Sequence, residues 1–342
     1  KEAQSGEIVI IGGIADISIG NTVCDPNNIV PLPMITIEEP TLSMNFLVNT
    51  SPFAGKSGKY VTSRNLRERL TKELEVNVGL RVEELESTDK FKVSGRGELH
   101  LTILVENMRR EGYELAVSKP EVILRFIGGK RMEPMEQVIV TVPSIYAGTV
   151  IQKLNYRKAS MVDMDERNEY VTMEWKAATR ALIGYRGEFI NDTRGEGTLI
   201  RQFAGYGDYV GEVPQRTLGA LISTETGTAM TYSIFNLQER GQFFISPAEP
   251  VYTGQIIGIS SRDVDMEVNP TKNKKLTAIR TAGNDEAMRI TTPRVITLEY
   301  AVEFIRDDEL VEVTPDAIRL RKKYLSTIDR KNAFRASRDA TE

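Results

Sequence analysis

One stretch limits the possible folds more than any other. Phe91 to Pro120 reads FKVSGRGELHLTILVENMRREGYELAVSKP. Phe91 and Val93 alternate with polar residues, which predicts a strand. Gly95 and Gly97 then punctuate the chain. From Glu98 onward Leu101, Leu104, Val105 and Met108 fall at i, i+3, i+4 and i+7, the apolar face of a helix. Arg109 and Arg110 suit the negative end of that helix, and Gly112 suits the position just past it. Tyr113, Leu115 and Val117 alternate again. Strand, glycine turn, helix and strand make a βαβ crossover unit.

The preceding residues carry the same kind of pattern. Leu42, Met44, Phe46 and Val48 alternate, and Thr62 or Ser63 can cap a helix with Leu66, Leu70 and Leu74 on one face. Val78, Leu80 and Val82 alternate before the crossover. Residues 38–120 therefore read β-α-β-β-α-β, the ferredoxin-like order. After a connector, 121–135, the same order returns over 136–215. Its strands carry Val138/Val140/Val142, Met161 to Met164, Tyr170 to Trp175 and Thr198/Ile200/Phe203. Its helices carry Val150/Ile151/Leu154 and Leu182/Ile183/Phe189.

The flanks are different. Glu7 to Ile11 (EIVII) and Ile14/Ile17/Ile19 predict two short strands with no helix between them, a partial β-barrel piece within residues 1–37. Pro26, Pro31, Pro33 and Pro40 predict a stiff linker. Residues 216–335 read as a mixed, mostly β C-terminal domain. Strands are expected at Thr231–Phe235 and Gly254–Ile259, a helix capped by Thr297, and a hairpin around Thr314-Pro315, where a Pro-started helix is the alternative. Residues 336–342 read as a polar tail. The fold class is thus α+β, with two ferredoxin-like units between a barrel fragment and a mostly β domain.

Composition narrows the chemistry. A single cysteine, Cys24, precludes an internal disulfide and suits a reducing, cytoplasmic setting. No apolar run approaches the roughly 20 residues of a membrane span, so no membrane partner is expected. His100 is the only histidine, which removes histidine-rich metal sites and His-pair relays; it reads as a structural residue on its helix. Asp163/Asp165/Glu166 and Asp307/Asp308/Glu309 read as solvated turns, since neither fits the EF-hand template. No G-x-x-x-x-G-K-[ST] occurs in the 342 residues.

Several motifs resemble one family. SGRGELHL followed by a helix ending in MRR resembles domain III of elongation-factor-G-like translational GTPases. GTVIQKLNYRKASMVDMD and ALIGYRGEFINDTRGEGTL are similar to domain V, and SGEIVIIGGIADISIGNTVCDP to the closing strands of domain II. The large fourth domain of elongation factor G has no room here, which leaves the BipA/TypA and LepA branches. QERGQFFISPAEPVYTGQIIG and DDELVEVTPDAIRLRKKYL resemble the C-terminal domain of the BipA/TypA family. Since Lys1 begins mid-pattern, a longer protein is expected, with the GTPase domain, its GTP and its Mg²⁺ upstream and no catalytic residue or cofactor within these residues.

The resemblance implies a monomer that binds the ribosome near the A site, contacting rRNA, the large subunit and A-site tRNA. It also implies roles in large-subunit assembly and in adaptation to stress or cold. A LepA-like factor, a GTP-independent RNA-binding module and a small-molecule sensor or enzyme are the alternatives. For RNA the residues offer two basic runs on a chain of net charge −4. Lys272, Lys274, Lys275 and Arg280 lie in a polar loop. Arg319, Arg321, Lys322 and Lys323 lie on the hairpin, with Arg330 and Lys331 beyond it. Strand alternation predicts that Arg319, Arg321 and Lys323 share an outward face.

Overall fold

The computed structural model describes residues 2–14, 17, 19–33, 39–85, 87–213, 216–273 and 289–339. The first unit has strands β1 (Leu42–Val48), β2 (Arg81–Glu84), β3 (Lys90–Gly95) and β4 (Leu115–Val117), with helices α1 (Ser63–Val76) and α2 (Glu98–Glu111). α1 begins at a capping box. The Thr62 hydroxyl accepts from the Asn65 backbone N–H, and Asn65 returns a bond to the Thr62 N–H. α2 buries Leu101, Leu104, Val105 and Met108, the face read from the spacing. It ends at Gly112, whose φ of 96° favours glycine; Tyr113 N–H closes the cap on Met108 O at 3.0 Å. The strands lie in the order β4-β1-β3-β2, all neighbours antiparallel.

The second unit follows the two-residue β5 (Glu121–Val122) and β6 (Arg125–Ile127). It comprises β7 (Lys130–Pro143), α3 (Ser144–Tyr156), β8 (Ser160–Arg167), β9 (Tyr170–Ala178), α4 (Tyr185–Asp192) and β10 (Thr198–Asp208). Its order, β10-β7-β9-β8, repeats that of the first unit in a separate sheet. Val138, Val140 and Val142 alternate onto Val150, Leu154, Trp175 and Phe189 in its own core.

The remaining elements are β11 (Ala220–Ser223), β12 (Gly227–Thr228), α5 (Thr231–Leu237), β13 (Gly241–Phe243), β14 (Pro250–Val251), β15 (Gln255–Ser260), β16 (Met266–Val268), α6 (Leu298–Phe304), β17 (Glu309–Val313), β18 (Ile318–Lys322) and α7 (Thr327–Asp339). β17 pairs with β4, Val311 opposite Val117 and Val313 opposite Leu115. Hydrogen bonding therefore runs unbroken from the first unit into the C-terminal residues as one 11-stranded sheet. A single core joins Leu42, Phe46 and Leu104 to Ile222, Ile256, Val302 and Leu320.

Thr297 caps α6, its hydroxyl accepting from Tyr300 N–H at 3.3 Å. β17 and β18 form the hairpin across Thr314-Pro315, so the alternative helix there is not formed.

Several expectations differ from the structure. Asp163, Asp165 and Glu166 lie on the exposed strand β8 rather than in turns. Of Leu182, Ile183 and Phe189 only Phe189 falls in α4, Leu182 ending a separate 3-10 turn, Thr179–Leu182. Thr231–Phe235 is the start of helix α5 rather than a strand. Its β-prone residues are overruled by tertiary bonds, Met230 N–H to Pro270 O at 2.8 Å and Ser233 Oγ to Asn269 O at 2.6 Å. Glu7–Ile11 forms no strand, and Ile8 and Ile10 are 103% and 102% exposed. A lone extended run has no ladder to join, and the described residues around it offer none. The polar tail from Ala336 continues α7 as far as Asp339.

Candidate nucleic-acid interface

By its sequence the hairpin β17–β18 presents cations to RNA, but in the fold both of its faces are covered. On one, Lys322 is 2% exposed. Its Nζ lies 2.7 Å from Asp265, 2.7 Å from Asp308 and 3.0 Å from Glu309. Arg216 reaches the same Glu309 with two bonds of 3.0 and 3.1 Å, its guanidinium 3.9 Å over the Phe304 ring. Burial opposes the charge on Lys322, but Glu309, Asp265 and Asp308 outweigh it and hold its pKa above the ordinary lysine value. Burial likewise opposes ionised Asp265, which Lys322, the Ala220 N–H and Arg216 nevertheless keep below its ordinary pKa.

On the other face the loop following β1 closes over the strand. Arg321, 3% exposed, donates to Thr50 Oγ1 at 3.0 Å, and burial lowers its pKa. Arg319 meets Glu312 at 3.4 Å and sits 5.2 Å from the Phe53 ring centroid. Glu312 also accepts from Tyr252 Oη at 2.5 Å, and burial, then Glu312, push the Tyr252 pKa well up. The loop itself is wound on Glu114. That carboxylate accepts backbone N–H groups from Gly55 at 2.7 Å, Ser57 at 2.9 Å and Gly58 at 2.7 Å. Burial alone would raise its pKa; the three N–H groups and Asn49 bring it below the ordinary value.

The outward row of Arg319, Arg321 and Lys323 therefore does not form. Lys322 is a buried ion-pair member, Arg321 is buried against Thr50, Arg319 is largely covered and paired with Glu312, and Lys323 alone of the four is exposed. Arg330 is tied to Glu267 at 2.5 Å and to the Leu325 carbonyl at 2.6 Å. Lys272 and Lys331 are exposed. Lys274, Lys275 and Arg280 lie outside the described residues. Reading Asp307/Asp308/Glu309 as a solvated turn fails at Glu309, which is fully buried on its side chain. The alternation in ELVEV could have marked Glu309 and Glu312 as anomalies, because both stand in a strand whose every residue is buried.

His100 holds Asn77, with nitrogen and oxygen of that amide 2.8 and 3.1 Å from Nε2, and its Nδ1 accepts from Arg96 N–H at 3.4 Å. Burial, then Arg96, lower its pKa, as befits a neutral structural imidazole. Glu98, from the same motif, reaches the boundary between the two sheets. Burial raises its pKa, while Arg201 opposes the rise. Arg201 binds Glu136 at 2.7 and 3.0 Å. Glu303 of α6 packs over Gly184 and Gly187 at the start of α4, where a β-carbon on Gly187 would lie 3.1 Å from its Oε2. Burial, then the charge of Glu98, push the Glu303 pKa up to about 7.

The comparisons with known proteins follow this division of the chain. Residues 130–217 match the family model for the elongation factor G C-terminus, and residues 218–327 that for the TypA/BipA C-terminal domain. A protein of Haemophilus influenzae described as large ribosomal subunit assembly factor BipA is 52% identical over 337 residues, 98% of this chain and 55% of that protein. The factors of the same description from Escherichia coli K12 and Buchnera aphidicola are 50% and 48% identical, each covering 98% of this chain. These matches define a protein with an elongation-factor-G-type C-terminal region. The chain belongs to the TypA/BipA family and corresponds to its C-terminal part. It spans about half the length, 55–56%, of these relatives.

Proposed function

We infer that this chain is the ribosome-binding half of a TypA/BipA translational GTPase that acts in assembly of the large subunit. The observation that carries this is the identity of about half over 98% of the chain to proteins described as large ribosomal subunit assembly factors. Residues 38–120 and 136–215 act as domains III and V, and residues 216–335 as the BipA-type domain. The first two transmit between a nucleotide site elsewhere in the protein and the ribosome. The last faces rRNA and the acceptor arm of A-site tRNA through Lys272, Lys274, Lys275, Arg280, Lys323 and Lys331. Such contacts read the phosphate backbone and the shape of the RNA rather than its base sequence. The protein works in the cytoplasm as a monomer.

GTP and Mg²⁺ belong to the rest of the protein on this reading, because these residues contain no phosphate loop. The test is co-migration of the 342-residue chain with purified large subunits on a density gradient without nucleotide, beside a calorimetric titration with GTP and Mg²⁺. Co-migration without saturable GTP binding is expected. Failure to co-migrate, or tight GTP binding by this chain, would contradict the reading.

A further inference from the structure

Arg240 and Arg262 are 22 positions apart and belong to neither basic run. The pairing of β13 with β15 brings them to the rim of one pocket of about 270 Å³, lined by Glu239, Arg240, Ser261, Arg262 and Met266. Both side chains are exposed, and among the described residues neither guanidinium has a carboxylate or other partner. Arg216, Arg306 and Arg330, from the same C-terminal segment, are all paired. Two unpaired guanidiniums on one concave rim repel each other in the free protein, and an anion between them removes that cost.

Their backbones are fixed. The Arg240 carbonyl accepts from Ser261 N–H at 2.8 Å, and the Arg262 carbonyl from Gly219 N–H at 2.7 Å. Ser260 Oγ accepts from Arg262 N–H at 3.1 Å. Each carbonyl bond abuts a close backbone approach that only glycine permits. A β-carbon on Gly241 would lie 1.8 Å from Ile259 O, and one on Gly219 would lie 2.0 Å from Val264 O. The spacing of the two arginines is thus set by sheet geometry, while their side chains remain free to close on a ligand.

The segment from α5 to Arg240 bonds the described residues on either side of 274–288. Met230 N–H donates to Pro270 O and Ser233 Oγ to Asn269 O on the outgoing side. Gln238 bonds Arg289 O at 3.2 Å and Thr291 N–H at 3.1 Å on the returning side. Lys272 and Arg289, on those two sides, are exposed.

We propose that Arg240 and Arg262 clamp a single RNA phosphodiester at this pocket. The two arginines supply two positive charges and Glu239 on the same wall removes one, which matches the single negative charge of a phosphodiester and disfavours a free multianion such as inorganic phosphate. The Ser261 hydroxyl and both guanidinium forks supply donors, and Glu239 supplies an acceptor for a ribose 2′-hydroxyl. This rests on the ribosome-binding reading above and adds to it a phosphate site that lies outside both basic runs.

The test pellets purified large ribosomal subunits with the parent chain, the Arg240→Ala/Arg262→Ala pair and the Arg240→Lys/Arg262→Lys pair, between about 50 and 200 mM salt. The alanine pair is expected to bind roughly tenfold more weakly at low salt. Its log–log salt slope should flatten by about one, the change expected when one phosphate is no longer neutralised. The lysine pair should keep the slope and lose part of the affinity, because an ammonium holds charge without the fork. Its unfolding midpoint and that of the alanine pair should equal the parent's. An alanine pair with parental affinity and slope would overturn the clamp and leave the ribosome-binding reading standing. Weakened affinity at unchanged slope would overturn it too, since a phosphate-binding cation must release counterions. A parent chain that does not pellet at all would overturn both.

Discussion

Lys322 Nζ and Glu309 Oε1 face each other 3.0 Å apart across the β17–β18 hairpin, both shut away from solvent in the shared sheet. Asp265 and Asp308 complete the shell around the ammonium, and Arg216 holds the far side of the carboxylate. A lysine that looks like an RNA ligand in sequence is therefore part of what ties the hairpin to Asp265, the residue before β16.

Removing that ammonium leaves buried carboxylates uncompensated. Lys322→Met is expected to cost about 3–5 kcal/mol, read as a lower unfolding midpoint in urea. Lys323→Ala, one residue on and exposed, should stay within about 0.5 kcal/mol. Equal stability of the two variants would show that Lys322 is solvated.

Glu114 organises the loop that covers Arg319 and Arg321. Glu114→Ala strips the acceptor from Gly55, Ser57 and Gly58 and is expected to cost about 1–3 kcal/mol. The folded pKa of Glu114 lies below its unfolded value. Its contribution is therefore present above about pH 4.3 and is lost as the pH falls through the lower, folded value. The deficit of the alanine variant should shrink in that acid window, which a urea series at falling pH measures. A deficit independent of pH would refute the carboxylate's role.

Glu303 carries the opposite sign. Its folded pKa of about 7 lies above the unfolded value, so the fold favours its protonated form. The stability it contributes is fully present below about pH 4.3 and declines until the pH passes about 7, at no more than about 1.4 kcal/mol per pH unit. Glu303→Gln should flatten that decline and leave the variant more stable than the parent at pH 8. Parallel stability curves for variant and parent between pH 5 and 8 would contradict this.

The capping box of α1 gives a smaller effect. Thr62→Ala should cost about 1 kcal/mol, since it removes the acceptor for Asn65 N–H and leaves the core face of Leu66 and Leu70 unchanged. Hydrogen exchange in the first turn of α1 should quicken with it; unchanged exchange there would show that the cap contributes nothing.

The legible parts of the fold are those governed by local physics. α2 can be read because its 3.6-residue spacing and the glycine at Gly112 agree, and the Thr314-Pro315 hairpin because alternation flanks it on both sides. The fate of β18 is not local. Whether Arg321 is a surface or a core residue is decided by Thr50, 271 positions away, and Lys322 is decided by Asp265. Alternation gives the two faces of a strand but not what covers them. α5 escapes a local reading for the same reason, because the carbonyls of Asn269 and Pro270 that anchor it lie beyond any short window. Arg240 and Arg262 give no signal as a run; their trace is Gly241, next to Arg240, and Gly219, which donates to the Arg262 carbonyl.

The central claim is that this half of the protein docks on large-subunit RNA through its C-terminal segment. Hydroxyl-radical footprinting of purified large subunits, with and without the 342-residue chain, tests it most directly. The expected result is a compact set of backbone protections lining the A-site cleft, which weaken when Lys323 and Lys331 are changed to alanine. An unchanged cleavage pattern at saturating protein, or protections scattered evenly over the subunit surface, would contradict it.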